Sequence, residues 1–225
     1  MNHELLKSII YDQHEVIRNA DIVSRPSYTF EANANYVLVG LRRAGKSTLL
    51  YKIVRNLIAG GVSWDQIIYI NFEDERLSEF RKEDFNDILS VQSELSSAQG
   101  YFFFDEIQIV PGWEKFCRRM ADARERVYVT GSNASMLSRE IATTLGGRYL
   151  TKYVTPYNFD EYLTALDIPH DSRALYQTKA NGRIRSHCAD YLQYGGFPEA
   201  LRYTARREYI SSVYQKILLG DIIAR

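Results

Sequence analysis

The spacing of hydrophobic residues along this chain changes several times, and each change marks an element. Leu5, Leu6, Ile9, Ile10, Val16 and Ile17 recur at helical spacing over residues 4–18, which predicts a helix packed against the domain C-terminal to it. Pro26 marks the loop out of it. Tyr36-Val37-Leu38-Val39 reads as a short apolar strand, and Leu49, Leu50, Ile53, Val54, Leu57 and Ile58 line one face of a helix that begins near Lys46. Gly60-Gly61 stops that helix. A buried-type strand over 67–72 then runs into the acids Glu73-Asp74-Glu75, and a helix is expected over 85–95. Tyr101-Phe102-Phe103-Phe104 is too short for a helix and ends abruptly in Asp105-Glu106, as a central strand with acids at its tip would.

Pro111-Gly112-Trp113 opens a helix to about Ala123, and residues 126–129 predict a fourth strand ending in Thr130-Gly131-Ser132-Asn133. Residues 135–145 read as a helix closed by Gly146-Gly147, and 149–154 as a fifth strand. After Pro156 the strand signals fade. Helices are expected over 159–166 and 188–194, then two more beyond Gly195-Gly196-Phe197-Pro198, the last carrying Tyr209, Ile210, Val213, Tyr214, Ile217 and Leu218 on one face. Strands alternating with helices predict an α/β fold: a largely parallel sheet sandwiched between helix layers, with ligand sites at the carboxyl ends of the strands. The expected division is a helical segment over 1–33, the sheet-bearing core over 34–157 and a small helical subdomain over 158–225.

Composition narrows the class. With 225 residues, 45% of them hydrophobic, the chain can bury one substantial core or a main domain with a small accessory one. Its 28 basic and 28 acidic residues cancel, so nucleic acid as a partner finds no support in the net charge. No apolar run approaches a membrane span and the N-terminus lacks a signal-peptide pattern, so no membrane contact and a cytoplasmic location are expected. Cys117 and Cys188 lack metal-ligand spacing, which suits a reducing compartment.

The strongest chemical signal is Gly40-Leu41-Arg42-Arg43-Ala44-Gly45-Lys46-Ser47-Thr48, a complete G-x-x-x-x-G-K-S/T loop between a strand and a helix. Gly40 and Gly45 let the backbone curl so that successive N–H groups face a phosphate, and the helix start adds its positive end. Lys46 then reaches the β- and γ-phosphates, and the Ser47 hydroxyl is placed to ligate Mg2+. Asp105 is read as the second magnesium-holding group and Glu106 as the residue that polarises the attacking water; strand alternation would point the two apart. Thr130, Ser132 and Asn133 are candidates for a polar sensor of the γ-phosphate, with Asn133 favoured, and an Asx or Ser turn is the competing explanation for each. Arg148, between a helix and the fifth strand, suits an arginine supplied to a neighbouring subunit, the alternative being an ordinary surface ion pair. Arg42 and Arg43, inside the loop, are placed to touch phosphate or a partner acid, or else to face solvent. Glu73 and Asp74 read as loop acids, and Arg202, Arg206 and Arg207 as a solvated helix face.

Together, the 40–48 loop, Phe104-Asp-Glu-Ile-Gln-Ile-Val-Pro-Gly-Trp-Glu114, Val129-Thr-Gly-Ser-Asn133, Leu145-Gly-Gly-Arg148, Pro156-Tyr-Asn-Phe-Asp-Glu-Tyr162 and the late Gly-Gly-Phe-Pro-Glu-Ala segment resemble the prokaryotic AAA-type P-loop ATPases (AAA_14) usually joined to a C-terminal DUF4143 domain. The resemblance runs from about residue 15 to the end. It implies a P-loop NTPase three-layer sandwich of AAA+ type with strand order 5-1-4-3-2, a helical lid, and ATP with Mg2+ as ligands. It also implies roles for Lys46, Ser47, Asp105 and Glu106 in nucleotide hydrolysis, and for Arg148 as the family's arginine before the fifth strand. Relatives of this kind continue past the position of Arg225, so the C-terminal domain is expected to be missing here. Asn133 stands where such relatives often carry a small residue.

The expectation is therefore an ATP-hydrolysing module that couples nucleotide state to conformational change or assembly, working as a homo-oligomer with Arg148 acting in trans. The alternative is a slow-turnover, nucleotide-gated switch that signals through an attached domain. A small-molecule phosphotransferase lacks an arginine-rich lid here, and the nearest approach to a guanine reader, Thr178-Lys-Ala-Asn181, is preceded by no strand.

Overall fold

The computed structural model describes residues 1–132 and 144–219. Asn133, most of the helix expected over 135–145 and the final residues 220–225 lie outside them. The elements are α1 (His3–Asn19), β1 (Asn35–Gly40), α2 (Lys46–Ala59), β2 (Ile67–Asn71), α3 (Phe85–Leu95), β3 (Tyr101–Asp105), α4 (Trp113–Asp122), β4 (Arg126–Ser132), β5 (Tyr149–Tyr153), α5 (Phe159–Ala165), α6 (Ser172–Tyr176), α7 (Thr178–Tyr194) and α8 (Arg206–Ile217). The strands form one sheet in the order β2-β3-β4-β1-β5, which is 5-1-4-3-2 read from the other edge. The pairs β2–β3, β3–β4 and β1–β5 are all parallel. No helix among the described residues is long and apolar enough to cross a membrane.

Two compact units emerge. The first comprises Met1–Ile22, Phe30–Val39 and Lys46–Tyr153; the second comprises Val23–Thr29, Gly40–Gly45 and the chain from Val154 onward. In the first, one sheet face is covered by a continuous core to which α1 gives Leu6, Ile9 and Ile10, α3 gives Phe85, Ile88 and Val91, and α4 gives Trp113, Phe116 and Cys117. The strands meet it with alternate residues, Val37 and Val39, Ile68 and Ile70, Phe102 and Phe104, as the two-residue period of a strand requires. The intervening residues build a row of rings across the other face. Tyr69 stacks on Phe103 at 6.0 Å, Phe103 on Tyr128 at 4.7 Å, and Tyr128 on Tyr36 at 5.9 Å, each nearly parallel. The register sets this row, because Tyr69 is paired with Phe103 and Phe103 with Tyr128.

In the second unit, Tyr157, Tyr162, Leu163, Ala174 and Ile184 form one apolar cluster, and Ala200, Tyr209 and Val213 another. Here the helix expected over 188–194 runs instead from Thr178 to Tyr194, through Gly182. Helical propensity at a mid-helix glycine is poor by about 1 kcal/mol, but Ala180, Ile184 and Tyr191 pack on the first cluster, and that burial outweighs it. The short α6 has no helical periodicity of its own; the Asp171 side chain caps it by accepting from the Ala174 N–H at 2.8 Å.

Candidate functional site

β1 ends at Gly40, where a side chain has no room: a Cβ there would lie 2.0 Å from the Val154 carbonyl oxygen. Gly45 has φ of +95°, the left-handed region open to glycine, and Arg43 holds φ of +63° despite its side chain. The Arg43 guanidinium pairs with Glu199 and lies 3.4 Å from the Tyr209 hydroxyl, to which it donates, so it is anchored in the helical unit. Arg42 engages in contacts of its own. A residue unmarked by any motif, Arg25, braces the loop. It donates to the Ala44 carbonyl at 3.1 Å and to the Thr155 carbonyl at 2.8 Å, and forms a buried ion pair with Glu161 at 2.9 Å. Glu161 in turn accepts from the Asn158 N–H at the start of α5 while the Asn158 side chain accepts from the Glu161 N–H, a reciprocal cap.

α2 begins at Lys46, whose side chain is only 4% exposed, with Nζ 3.4 Å from Oε1 of Glu106. Ser47 next to it hydrogen-bonds Asp105. Asp105, the last residue of β3, is almost completely buried. The Tyr69 hydroxyl donates to its Oδ2 at 2.9 Å and the Thr130 hydroxyl donates to its Oδ1. The sheet explains both partners: Asp105 is paired with Asn71, so Tyr69 is a diagonal neighbour on the same face, and Thr130 continues the β3–β4 pairing one step past Phe104–Val129. Burial pushes the Asp105 carboxyl above its ordinary range, the hydrogen bonds from Ser47, Thr130 and Tyr69 oppose that, and the nearby Glu106 charge adds to it.

Strand alternation does not carry on to Glu106. The strand stops at Asp105, and Glu106 takes a left-handed conformation, φ 52° and ψ 40°, that swings its side chain to Lys46 instead of to the far face. Its backbone N–H donates to Thr130 Oγ1 at 3.0 Å, so one hydroxyl ties both acids together. Gln108, in the 3-10 turn Ile107–Ile109, donates from Nε2 to Oε2 of Glu106 at 2.5 Å, while its own Oε1 is buried without a hydrogen-bond partner. A buried acceptor left in that condition costs roughly 1–3 kcal/mol.

Ser47 and Asp105 are adjacent oxygen donors of the hard kind Mg2+ prefers, and among the described residues no cluster of three or more His, Cys, Asp or Glu competes as a metal site. That fits an ion held by one or two protein oxygens, with phosphates and water completing the shell.

The remaining expected positions fall elsewhere. Arg148 precedes β5 and pairs with Asp122 at 2.5 Å. Because Tyr149 pairs with Asn35 and Tyr153 with Val39 in a parallel ladder, Arg148 stands at the amino edge of the sheet, about 17 Å of strand from the edge where Asp105 and Glu106 lie. Asp74 caps a 3-10 turn and pairs with Arg76, a structural role. Asn133 lies outside the described residues; Thr130 contacts both acids.

A parallel sheet in this order, with a glycine-lined loop between β1 and α2 and acids at the tip of β3, defines a P-loop nucleotide-binding α/β protein of AAA+ architecture. The AAA domain family model matches residues 32–163, more than half of the chain, and the chain belongs to that family. An uncharacterized protein of Methanocaldococcus jannaschii is 32% identical over 98% of this chain and 49% of its own length. An uncharacterized protein of Haemophilus influenzae is 32% identical over 84% of this chain and 46% of its own. The chain thus spans about half the length of the curated relatives it matches. Among solved structures, the S. cerevisiae Hsp104:casein complex aligns over 95% of this chain and 38% of that one at 14% identity and a TM-score of 0.49. AMPPCP-bound DnaA from Aquifex aeolicus aligns over 96% and 69% at 14% identity and a TM-score of 0.41.

Proposed function

We propose that this chain is a Mg2+-dependent ATP-hydrolysing module in which nucleotide state is passed to the helices after Val154. The observation that carries the proposal is the meeting of Lys46 and Glu106 at 3.4 Å beside the Ser47–Asp105 pair, which groups a phosphate-binding cation, a water-polarising carboxylate and a metal-fitting oxygen pair.

In this reading the backbone of residues 40–48 cradles the phosphates. Lys46 exchanges its carboxylate partner for the β- and γ-phosphate oxygens, which leaves Glu106 Oε1 open to water. Ser47 and Asp105 would hold Mg2+, whose chemistry is to neutralise charge on the phosphates. Glu106 accepts a proton from water as the water oxygen bonds to the γ-phosphorus and the bond to the bridging oxygen of ADP breaks, giving ADP and inorganic phosphate. Thr130 holds the two acids in fixed relation. Arg25 and Arg43 join loop residues 44 and 43 to Glu161 and Glu199 in the helical unit, which supports a mechanical response to loop occupancy. Arg148, too far along its own sheet to reach the same phosphates, would act on a neighbouring copy.

The test is ATP turnover of wild type beside Glu106→Gln, read together with binding of a fluorescent ATP analogue. The expected result is equal binding with turnover lowered by roughly 10²-fold or more in the variant. Equal turnover would remove Glu106 from the chemistry. A specific observation also favours the slower, switch-like reading: both Glu106 carboxylate oxygens are engaged, by Lys46 and by Gln108, so catalysis first requires one of them to be released. Tight binding with negligible turnover in the wild type would decide for it.

A further inference from the structure

We infer that Gln108 is a positioning residue for the hydrolytic carboxylate, an assignment that rests on the hydrolase reading of Glu106. Three features of the molecule converge on it. First, Glu106 occupies a left-handed backbone conformation at the very end of β3, where neither strand pairing nor helix geometry restrains its side chain. Its carboxylate is therefore aimed by its contacts alone. Second, those contacts divide between its two oxygens: Lys46 meets Oε1 and Gln108 meets Oε2. The Lys46 contact is the one that arriving phosphates take away, since the same ammonium group serves them. The Gln108 contact is then the one that persists, and it leaves Oε1 as the oxygen turned toward the phosphate-binding lysine and available to water.

Third, the amide stays in this contact at a cost. A carboxylate oxygen only accepts, so the Gln108 amide must present its NH2 group, and this strands its carbonyl oxygen in the interior with no donor. Removing the amide would relieve the stranded carbonyl oxygen and leave Glu106 Oε2 without its donor, so the two costs oppose each other and stability alone gives no strong preference for an amide at this half-buried place. The sequence keeps an amide that donates to the hydrolytic acid. The 3-10 turn supports the placement: Ile107, fully buried in the core, and the Ile109 N–H, which donates to the Glu106 carbonyl, fix the turn so that the Gln108 side chain folds back over residue 106.

The experiment is a comparison of four proteins, wild type, Glu106→Gln, Gln108→Met and Gln108→Glu, each measured for kcat and KM in ATP hydrolysis, for affinity toward a fluorescent ATP analogue and for melting temperature. Gln108→Met keeps the length and removes both the donor and the stranded acceptor; Gln108→Glu keeps the shape but replaces the donor by a like charge. The assignment predicts that both lower kcat, on the order of 10²-fold for a carboxylate that loses its orientation, while KM and affinity stay within about threefold. It further predicts that Gln108→Met melts within a few degrees of wild type, because the relief of the stranded carbonyl oxygen and the loss of a donor to Glu106 offset each other. A kcat for Gln108→Met within about twofold of wild type overturns the assignment and leaves the hydrolase reading intact. A loss of kcat accompanied by weaker binding and a lower melting temperature also overturns it, because that is the signature of a structural side chain. If wild type turns over no faster than Glu106→Gln, the hydrolase reading itself fails and takes the assignment with it.

Discussion

At the scale of single residues, the site is a set of side chains each held by a partner from another element. Thr130 is the clearest case. Its hydroxyl accepts from the Glu106 N–H and donates to Asp105, in a place where it is wholly buried. Thr130→Val keeps the shape and removes both bonds, leaving a buried N–H and a carboxylate oxygen short of partners, at roughly 1–3 kcal/mol each. We expect its melting temperature to fall by several degrees and Thr130→Ser to recover most of the loss, as read by thermal denaturation. Equal melting of Thr130→Val and wild type would show that water replaces the hydroxyl. Lys46, Ser47, Asp105 and Glu106 can be picked out in the sequence because their roles arise from a local strand–turn–helix pattern and a strand tip. Thr130 is one of three candidates there, behind Asn133; Tyr69 and Arg25 carry no signal, and Gln108 enters only as part of the Asp-Glu-Ile-Gln stretch of the family resemblance, with no role attached to it. Their partners lie 19 to 136 residues away in the case of Thr130, Tyr69 and Arg25, or depend on a turn in the case of Gln108, and no local period encodes either.

At the scale of elements, α1 shows how a terminal helix becomes part of the sheet's core. Leu6, Ile9, Ile10 and Ile17 are fully buried, and His14 on the same face places Nε2 2.8 Å from the Ile67 carbonyl at the start of β2. Burial is the main cause that holds the His14 pKa below its ordinary 6.5; the Arg18 charge adds to the lowering, while the carbonyl, Asp65 and Glu15 oppose it. Below pH 6.5 the unfolded chain takes up a proton at His14 that the folded chain resists, so stability is present above that pH and is lost as pH falls toward the folded value. Denaturant unfolding between about pH 7.5 and 5 should therefore show a decline that is smaller in His14→Phe. Parallel slopes for the two proteins would place the dependence on other groups. The same scale explains the displaced start of α7: a glycine and a polar first turn conceal a helix that exists because its other face has a cluster to cover.

At the scale of the whole molecule, the parallel sheet gives the protein two chemically different edges. Carboxyl ends gather Asp105 and Glu106 with Ser47 and Lys46 beside them, while Arg148 stands at the amino edge, paired with Asp122. Under the proposed function, an arginine so placed would act through a second copy. Arg148→Ala should accordingly lower specific activity by about 10³-fold at concentrations where chains associate, a scale known for arginines supplied in trans. Mixing it with Glu106→Gln should restore part of the activity, because each chain supplies what the other lacks. An equal loss in a demonstrably monomeric preparation, with no recovery on mixing, would refute action between subunits.

What the sequence determined by itself is the chain order of the five strands and of the helices α1 to α4, the phosphate loop and the acid pair at the end of an apolar run. Each of these is written within a few residues, where steric and hydrophobic preferences act directly on the local backbone. The strand order came from likeness to a family and agrees with the sheet observed. Tertiary structure alone decided which hydroxyls hold Asp105, how the left-handed turn brings Glu106 to Lys46, and that Arg25 and Arg43 tie the loop to helices more than a hundred residues later. Those contacts are properties of register and packing. A sheet sets them when distant strands are laid side by side, and the free energy that fixes them is shared across the whole core.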